Sequence, residues 1–145
     1  MTDKPMSGLE MLRAIINGEL PHPSIAATIP MVFVEADAGR VLFEARAGER
    51  HLNPLGGVHG GFIATVLDSV TGCAVHSMLE AGVDYATIDL NVKMLRPVPR
   101  DSRLIAEAKV INISKSLGVS EGTLKDENGK LLAHATCSCL IKRPL

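Results

Sequence analysis

The sequence of 145 residues contains no tryptophan, one tyrosine and three phenylalanines. So few aromatic side chains argue against stacking platforms for bases and against aromatic sugar-binding surfaces. The formal net charge is −1 and no basic cluster is present, so the chain offers no attractive field for a polyanion. Nucleic acid is therefore not an expected partner.

Cysteine is also scarce, and the three cysteines, Cys73, Cys137 and Cys139, do not predict a disulfide framework. Cys137 and Cys139 stand two apart in a predicted strand and share one face of it. The first interpretation is that they are small core residues, and the second is metal or redox chemistry. Without C-x-x-C or H-E-x-x-H, and with five scattered histidines, the sequence predicts no metal site.

A long uninterrupted apolar run is missing as well. The N-terminal residues MTDKPMSGLEMLRAII lack the apolar region and cleavage motif of a secretory leader. The segment Gly60 to Glu80 is long enough to be considered as a membrane span, but it contains a carboxylate, a histidine and several hydroxyl groups. This composition favours a buried helix in a cytoplasmic protein that has no membrane partner.

Charge is almost absent from the segment between His51 and Leu79, where Asp68 is the only fully charged side chain. A lone carboxylate on an apolar helix costs stability unless it is paired or hydrogen-bonded, which makes Asp68 a candidate functional residue. The alternative is a satisfied buried carboxylate that only caps a neighbouring backbone group. A glycine-rich turn over residues 56–61 precedes the helix and exposes N–H groups at the positive end of its dipole.

The periodicity of apolar residues predicts two helices and six strands. The helices cover 7–17 and 60–81, with Gly82 as the stop of the second, and the strands cover 28–37, 40–47, 85–95, 103–112, 116–125 and 130–141. This order favours an α+β fold in which an antiparallel sheet of about six strands wraps around one long central helix. We predict a single domain over 24–145, preceded by a helix and connector over 1–23.

Two details of the predicted strands bear on the site. Strict alternation over 85–95 predicts that Ile88, Leu90, Val92 and Met94 share one buried face. Gly118 and Gly122 interrupt another strand and predict bulges or close contacts. The exposed edges of such a sheet are commonly paired in a dimer.

The motif Asn53-x-x-Gly56-x-x-His59-Gly60-Gly61, with Asp68 seven residues after Gly61, resembles the hotdog-fold acyl-CoA thioesterases. The most similar subgroup is the PaaI type, within the 4-hydroxybenzoyl-CoA thioesterase superfamily. The order of elements agrees from about residue 24 to residue 140. The resemblance implies the hotdog fold and hydrolysis of an acyl-CoA thioester. No cofactor is implied, because coenzyme A is part of the substrate.

The resemblance also implies roles for individual residues. The backbone N–H of Gly60 polarises the thioester carbonyl, and the Asn53 side chain binds near that carbonyl or orients water. Asp68 acts as general base or nucleophile. Thr87 helps to hold Asp68 or water, or else it is a solvent-exposed residue of an alternating strand. His59 fixes the turn, as a structural residue, or approaches the thioester.

Further residues are candidates for binding the substrate. Gly61 lies beside the expected carbonyl site, and Val58, Phe62 and Met94 suggest an apolar or aromatic acyl pocket. Arg96 and Lys115 are candidates for the phosphates of coenzyme A, although basic residues at strand ends are usually only solvated.

Gly60 and Asp68 are eight residues apart on one helix, about 12 Å along its axis. Because this is too far for both to reach one carbonyl and its attacking water, we expect a site shared between two antiparallel chains of a homodimer or homotetramer. Two other functions stay open: a non-catalytic acyl-CoA or lipid-binding module with the same fold, and a hydratase. The hydratase needs an Asp and His spacing that is not found around this helix.

Overall fold

A computed structural model describes residues 4–145. Three α-helices and six strands form the fold, with a short 3-10 helix at Glu49–His51. The helices are α1 (Gly8–Ile16), α2 (Ile25–Thr28) and α3 (Gly60–His76). The strands are β1 (Met31–Asp37), β2 (Arg40–Ala45), β3 (Asp84–Met94), β4 (Leu104–Ile113), β5 (Leu117–Lys125) and β6 (Leu131–Lys142).

The six strands form one antiparallel sheet in the order β1-β2-β4-β5-β6-β3. Helix α3 contacts β2, β3, β4, β5 and β6, so the sheet curves around it. This arrangement confirms the prediction of an α+β fold with a sheet wrapped around one long helix. The two edges of the sheet are β1 and β3.

Small residues allow α3 to lie close to the sheet. Ala133, Ala135, Cys137 and Cys139 of β6 are all at most 1% exposed and face the helix side. A Cβ on Gly118 would lie 2.6 Å from Val75, and a Cβ on Gly122 would lie 2.9 Å from the Thr71 methyl group. The predicted close contacts at the β5 glycines and the small-residue face of β6 are therefore confirmed.

Two predicted boundaries are wrong. Thr28 ends the short helix α2, and β1 begins only at Met31, because the extended Ile29 precedes Pro30. Helix α3 ends at His76 and not at residue 81. The Ser77 hydroxyl donates to the Ala74 carbonyl at 2.6 Å and accepts a backbone N–H from the β1–β2 turn at 2.8 Å, which fixes the helix end.

Strand β3 departs from the predicted alternation. The register with β6 shifts between Thr87 and Asp89, so Ile88 lies in a β-bulge and is 60% exposed. The prediction that Ile88 shares the buried face of Leu90 is wrong for this reason. It is also wrong for Met94, which is 51% exposed at the end of this edge strand. The bulge turns Thr87 toward the helix side, where its hydroxyl lies 3.8 Å from the Cys137 sulfur.

Helix α1 packs on β1 and against the end of α3. Ser7 caps it by accepting the Glu10 N–H at 3.2 Å, and the Gly8 N–H donates to the Leu79 carbonyl at 3.0 Å. A Cβ on Gly8 would overlap the His76 carbonyl, so only glycine fits at this crossing. Among residues 4–145, no helix has the length and hydropathy to cross a membrane.

Candidate active site

The first turn of α3 leaves one backbone donor free. His59 caps the helix: its Nδ1 accepts the Gly61 N–H at 2.7 Å, and its carbonyl accepts the Phe62 N–H at 3.0 Å. Within the described residues, the Gly60 N–H has no protein acceptor. This N–H stands at the positive end of the helix dipole, where it can bind an oxygen that gains negative charge.

The contacts of His59 fit the structural role better than an approach to the thioester. Because Nδ1 accepts an N–H, the neutral ring carries its proton on Nε2. The His59 backbone N–H donates to the His51 carbonyl at 2.7 Å and fixes the chain before the helix. His59 therefore positions the Gly60 N–H.

Asn53 shapes the loop before α3. Its Oδ1 accepts the N–H groups of Leu55 at 3.0 Å and Gly57 at 3.1 Å, and its own N–H donates to the Gly57 carbonyl at 2.8 Å. Because Oδ1 is occupied by these two donors, the orientation of the amide is fixed. The NH₂ group of Asn53 is therefore left available for another acceptor.

Asp68 lies two turns after Gly60 and holds the most unusual polar atom of the site. Its Oδ1 is buried and has no hydrogen-bond partner among the described residues. Leaving a buried polar atom unsatisfied costs about 1–3 kcal/mol, and more for a charged group. This observation argues against the alternative that Asp68 only caps a neighbouring backbone group. It favours a carboxylate whose hydrogen-bond partner is a ligand.

Thr87 of β3 lies beside Gly72, which stands one helical turn beyond Asp68 on α3. A Cβ on Gly72, the residue four after Asp68, would come within 3.3 Å of the Tyr85 ring and 3.8 Å of the Thr87 hydroxyl. Thr87 is nevertheless exposed, because β3 is an edge strand. Sequence reasoning missed Tyr85 and Gly72 as neighbours of the site, since only the packing of β3 on α3 brings them there.

The charge of Asp68 acts on three thiols. Burial raises the pKa of Cys73 to about 12, and the charge of Asp68 adds to this rise. The sulfurs of Cys137 and Cys139 lie 3.7 Å apart, and their hydrogen bond lowers the pKa of Cys137 and raises that of Cys139. Both are buried core residues, as predicted. Within 4–145, no three His, Cys, Asp or Glu side chains form a metal-binding group.

The predicted acyl-binding residues take different positions. Phe62 is only 2% exposed, and its ring packs in the core, with its centroid 5.0 Å from that of the His51 ring. Val58 forms a β-bridge with Leu52 beside the loop. Met94 is 51% exposed and covers Gly60, where an added Cβ would lie 2.9 Å from its methyl group. Of the three, Met94 is the one placed beside the expected carbonyl.

The structure does not bring Arg96 and Lys115 together in one chain. Arg96 donates to the carbonyl of Leu131, the first residue of β6, at 2.7 Å. The Lys115 carbonyl accepts from Arg143, just beyond the last residue of β6, at 3.1 Å. The two cations therefore lie at opposite ends of a 12-residue strand, roughly 40 Å long.

Comparison with known proteins gives a consistent result. The family model of the Thioesterase superfamily matches residues 55–133, a range that is more than half of the chain and includes α3. A putative esterase of Halobacterium salinarum is 48% identical over 68 residues, which cover 46% of this chain and 44% of that protein. This match thus spans less than half of the archaeal relative.

Longer similarities extend over most of the fold. Acyl-coenzyme A thioesterase 13 of Homo sapiens is 29% identical over 104 residues, covering 71% of this chain and 74% of that protein. The crystal structure of a putative thioesterase from Ralstonia eutropha, a phenylacetic acid degradation-related protein, is 33% identical with a TM-score of 0.81. It covers 89% of this chain and 98% of its own. The predicted resemblance and fold are confirmed: the chain belongs to the thioesterase superfamily and has the hotdog fold.

Proposed function

We propose that the chain hydrolyses acyl-CoA thioesters to a free acid and coenzyme A. The observation that carries this proposal is the buried, unpartnered Oδ1 of Asp68. A free N–H at Gly60 adds the second requirement, a donor for the oxygen that becomes negative during thioester hydrolysis. The reaction needs no cofactor, since coenzyme A enters as part of the substrate.

The residues divide the chemistry between them. The Gly60 N–H and the Asn53 NH₂ group donate to the thioester carbonyl oxygen and stabilise the negative charge that develops on it. Such a donor is typically worth about 10²–10³ in rate. Asp68 removes a proton from the attacking water, which contributes roughly 10²–10⁴ in rate. The C–S bond then breaks, and the thiolate of coenzyme A leaves and takes up a proton. In the alternative, the Asp68 carboxylate attacks the carbonyl carbon itself and forms an acyl anhydride, which water then hydrolyses to the free acid and the regenerated carboxylate.

A site shared between two chains fits the packing of α3 on β3. The start of α3 lies beside Met94 at the end of β3, and Gly72 lies beside Thr87 near its start. Helix and strand therefore run antiparallel. In a homodimer whose two β3 edges pair around a two-fold axis, the Gly60 end of one α3 approaches the Asp68 region of the partner subunit.

Three features of β3 support this edge as the dimer contact. It is 11 residues long and stands at the edge of the sheet. None of its residues is buried in the single chain, and two of its large apolar side chains, Ile88 and Met94, are exposed. A long, exposed edge strand is a template for pairing with another strand. The same pairing would bring Arg96 of one chain toward Lys115 of the other, where both can reach one coenzyme A.

The competing proposal is a binding module without catalysis. A module that only holds an acyl-CoA gains nothing from an unpaired carboxylate beside the thioester, because that group is costly to bury. Release of free thiol from short, medium, long and aryl acyl-CoAs separates the two functions. We expect turnover of at least one of these thioesters, whereas binding without thiol release would favour the module.

A further inference from the structure

An apolar cavity of about 330 Å³ opens beside the Asp68 region, on the side of the N-terminal helix. This volume falls at the lower end of the range for small-molecule sites, about 300–1,000 Å³. Its walls come from α1, the connector after it, β1, α3 and the start of β3. Its lining includes Met11, Ile15, Leu20, Phe33, Cys73 and Tyr85.

The fold fixes the walls of this cavity. The tight crossing of Gly8 over the His76 carbonyl sets the position of α1 against the end of α3. The connector is tied to β1 because His22 Nε2 accepts the Phe33 N–H at 3.1 Å, with the two rings 5.0 Å apart. Leu20 and the two prolines beside His22 are therefore held over the opening.

The cavity lies next to the part of α3 that follows Asp68. Cys73, one of its lining residues, stands five positions after Asp68 on this helix. Tyr85 also lies against α3 at Gly72, one turn beyond Asp68. A substituent that extends from a carbonyl held at Asp68 can thus enter the cavity past Tyr85.

The lining carries no charge near neutral pH. No Lys, Arg, Asp or Glu contributes to it. Burial raises the pKa values of Cys73 and Tyr85, so both stay protonated and neutral. Burial lowers the pKa of His76, although the charge of Asp84 opposes this, so the ring is neutral too. A carboxylate or ammonium group would lose its hydration here without gaining a partner.

We propose that this cavity binds the acyl group of the thioester and selects uncharged hydrocarbon acyl groups. The inference rests on the proposed function. It moves the acyl pocket from the predicted residues Val58 and Phe62 to the N-terminal helix and its connector. The segment before the catalytic loop would then determine which thioesters the enzyme accepts.

Kinetics of Leu20→Trp test the inference, because Leu20 lines the cavity from the connector and an indole there takes up part of its volume. We expect the ratio of kcat/KM for octanoyl-CoA to that for acetyl-CoA to fall at least about tenfold, since several methylene groups lose their apolar contacts. Ile111→Trp is the matched control, because Ile111 is 56% exposed and lies outside the cavity. It should leave the ratio at the wild-type value.

A second arm tests the charge of the acyl group. Wild-type enzyme should prefer octanoyl-CoA over succinyl-CoA by about 10²-fold or more, because a carboxylate in an apolar cavity is left unpaired. Equal rates on the two thioesters would overturn the inference. If Leu20→Trp melts below the assay temperature, Met11→Trp replaces it, since Met11 is already 37% exposed at the opening.

The outcomes separate the two claims. If wild-type enzyme releases thiol but the octanoyl-to-acetyl ratio is the same in wild type, the cavity variant and Ile111→Trp, the acyl group binds elsewhere and the inference fails alone. If wild-type enzyme releases no thiol from any acyl-CoA, the proposed function fails and the inference fails with it.

Discussion

The Nδ1 atom of His59 accepts the Gly61 N–H at 2.7 Å, and this single hydrogen bond decides which donor of α3 is free. With Gly61 occupied by the ring and Phe62 by the His59 carbonyl, the Gly60 N–H is the donor left for a ligand in the described first turn. The capping residue thus directs the helix dipole toward one position. The assignment of Gly60 as the oxyanion donor depends on this relationship.

We expect Gly60→Ala to lower kcat/KM by about 10²-fold, the usual effect of losing one oxyanion donor. The added Cβ stands where the thioester carbonyl must approach, and it also lies 2.9 Å from the Met94 methyl group. Stability should change little, because alanine is tolerated in a first helical turn. Steady-state kinetics and thermal melting of the same sample check both expectations.

The double variant Gly60→Ala/Met94→Ala separates two causes of that loss. If the Cβ blocks the carbonyl directly, the loss persists without the Met94 side chain. The activity of the double variant then lies below that of Met94→Ala by the same factor by which Gly60→Ala lies below wild type. Recovery of activity in the double variant would mean that Gly60→Ala acts only by displacing Met94. Gly57→Ala is a poor control, since its Cβ would lie 3.4 Å from the Asn53 amide nitrogen.

A shared site predicts that two inactive variants complement each other. A mixed dimer of Asp68→Ala and Asn53→Ala chains contains one site in which both residues are intact and one in which both are lost. After subunit exchange, thiol release should therefore rise well above that of either variant alone. Exchange must be verified independently, for example with differently tagged chains. Absence of any recovery after verified exchange would mean that each chain carries its own complete site.

Stability should depend on the protonation of His76. Burial lowers its pKa in the folded protein, so the unfolded chain holds the proton more tightly. This contribution to stability is complete above the unfolded pKa of about 6.5 and is lost as the pH falls below that value. We expect a lower Tm at about pH 5.5 than at about pH 7.5, and a smaller difference in His76→Gln. An unchanged difference in the variant would assign the pH dependence to other groups.

Local patterns in the sequence predict much of this fold. The 3.6-residue periodicity predicted α3, and the alternating strands predicted a sheet around it, because both signals come from one buried face. The start of α3 was also predictable, since the glycines and His59 act within one turn. Its end was not, because the Ser77 hydroxyl at that end accepts the N–H of Gly39, a residue 38 positions away.

The remaining errors have the same physical origin. The bulge at Ile88 depends on pairing with β6, and strict alternation cannot show it. Tyr85 and the α1 cavity reach the Asp68 region only through packing between elements far apart in sequence. The roles assigned to Asn53, Gly60, Asp68 and Thr87 stay predictions, whose geometry is now specified closely enough to test.

Turnover by Asp68→Asn tests the central claim most directly. Asparagine keeps the shape of the side chain but cannot take a proton from water or attack the thioester. Replacing a carboxylate that has one buried, unpartnered oxygen should leave the Tm unchanged or raise it, because no hydrogen bond of the described residues is lost. We expect acyl-CoA binding to persist while kcat falls by about 10²-fold or more. A folded Asp68→Asn variant that retains more than about a tenth of wild-type turnover would contradict the account, since the loss of a base or nucleophile is far larger.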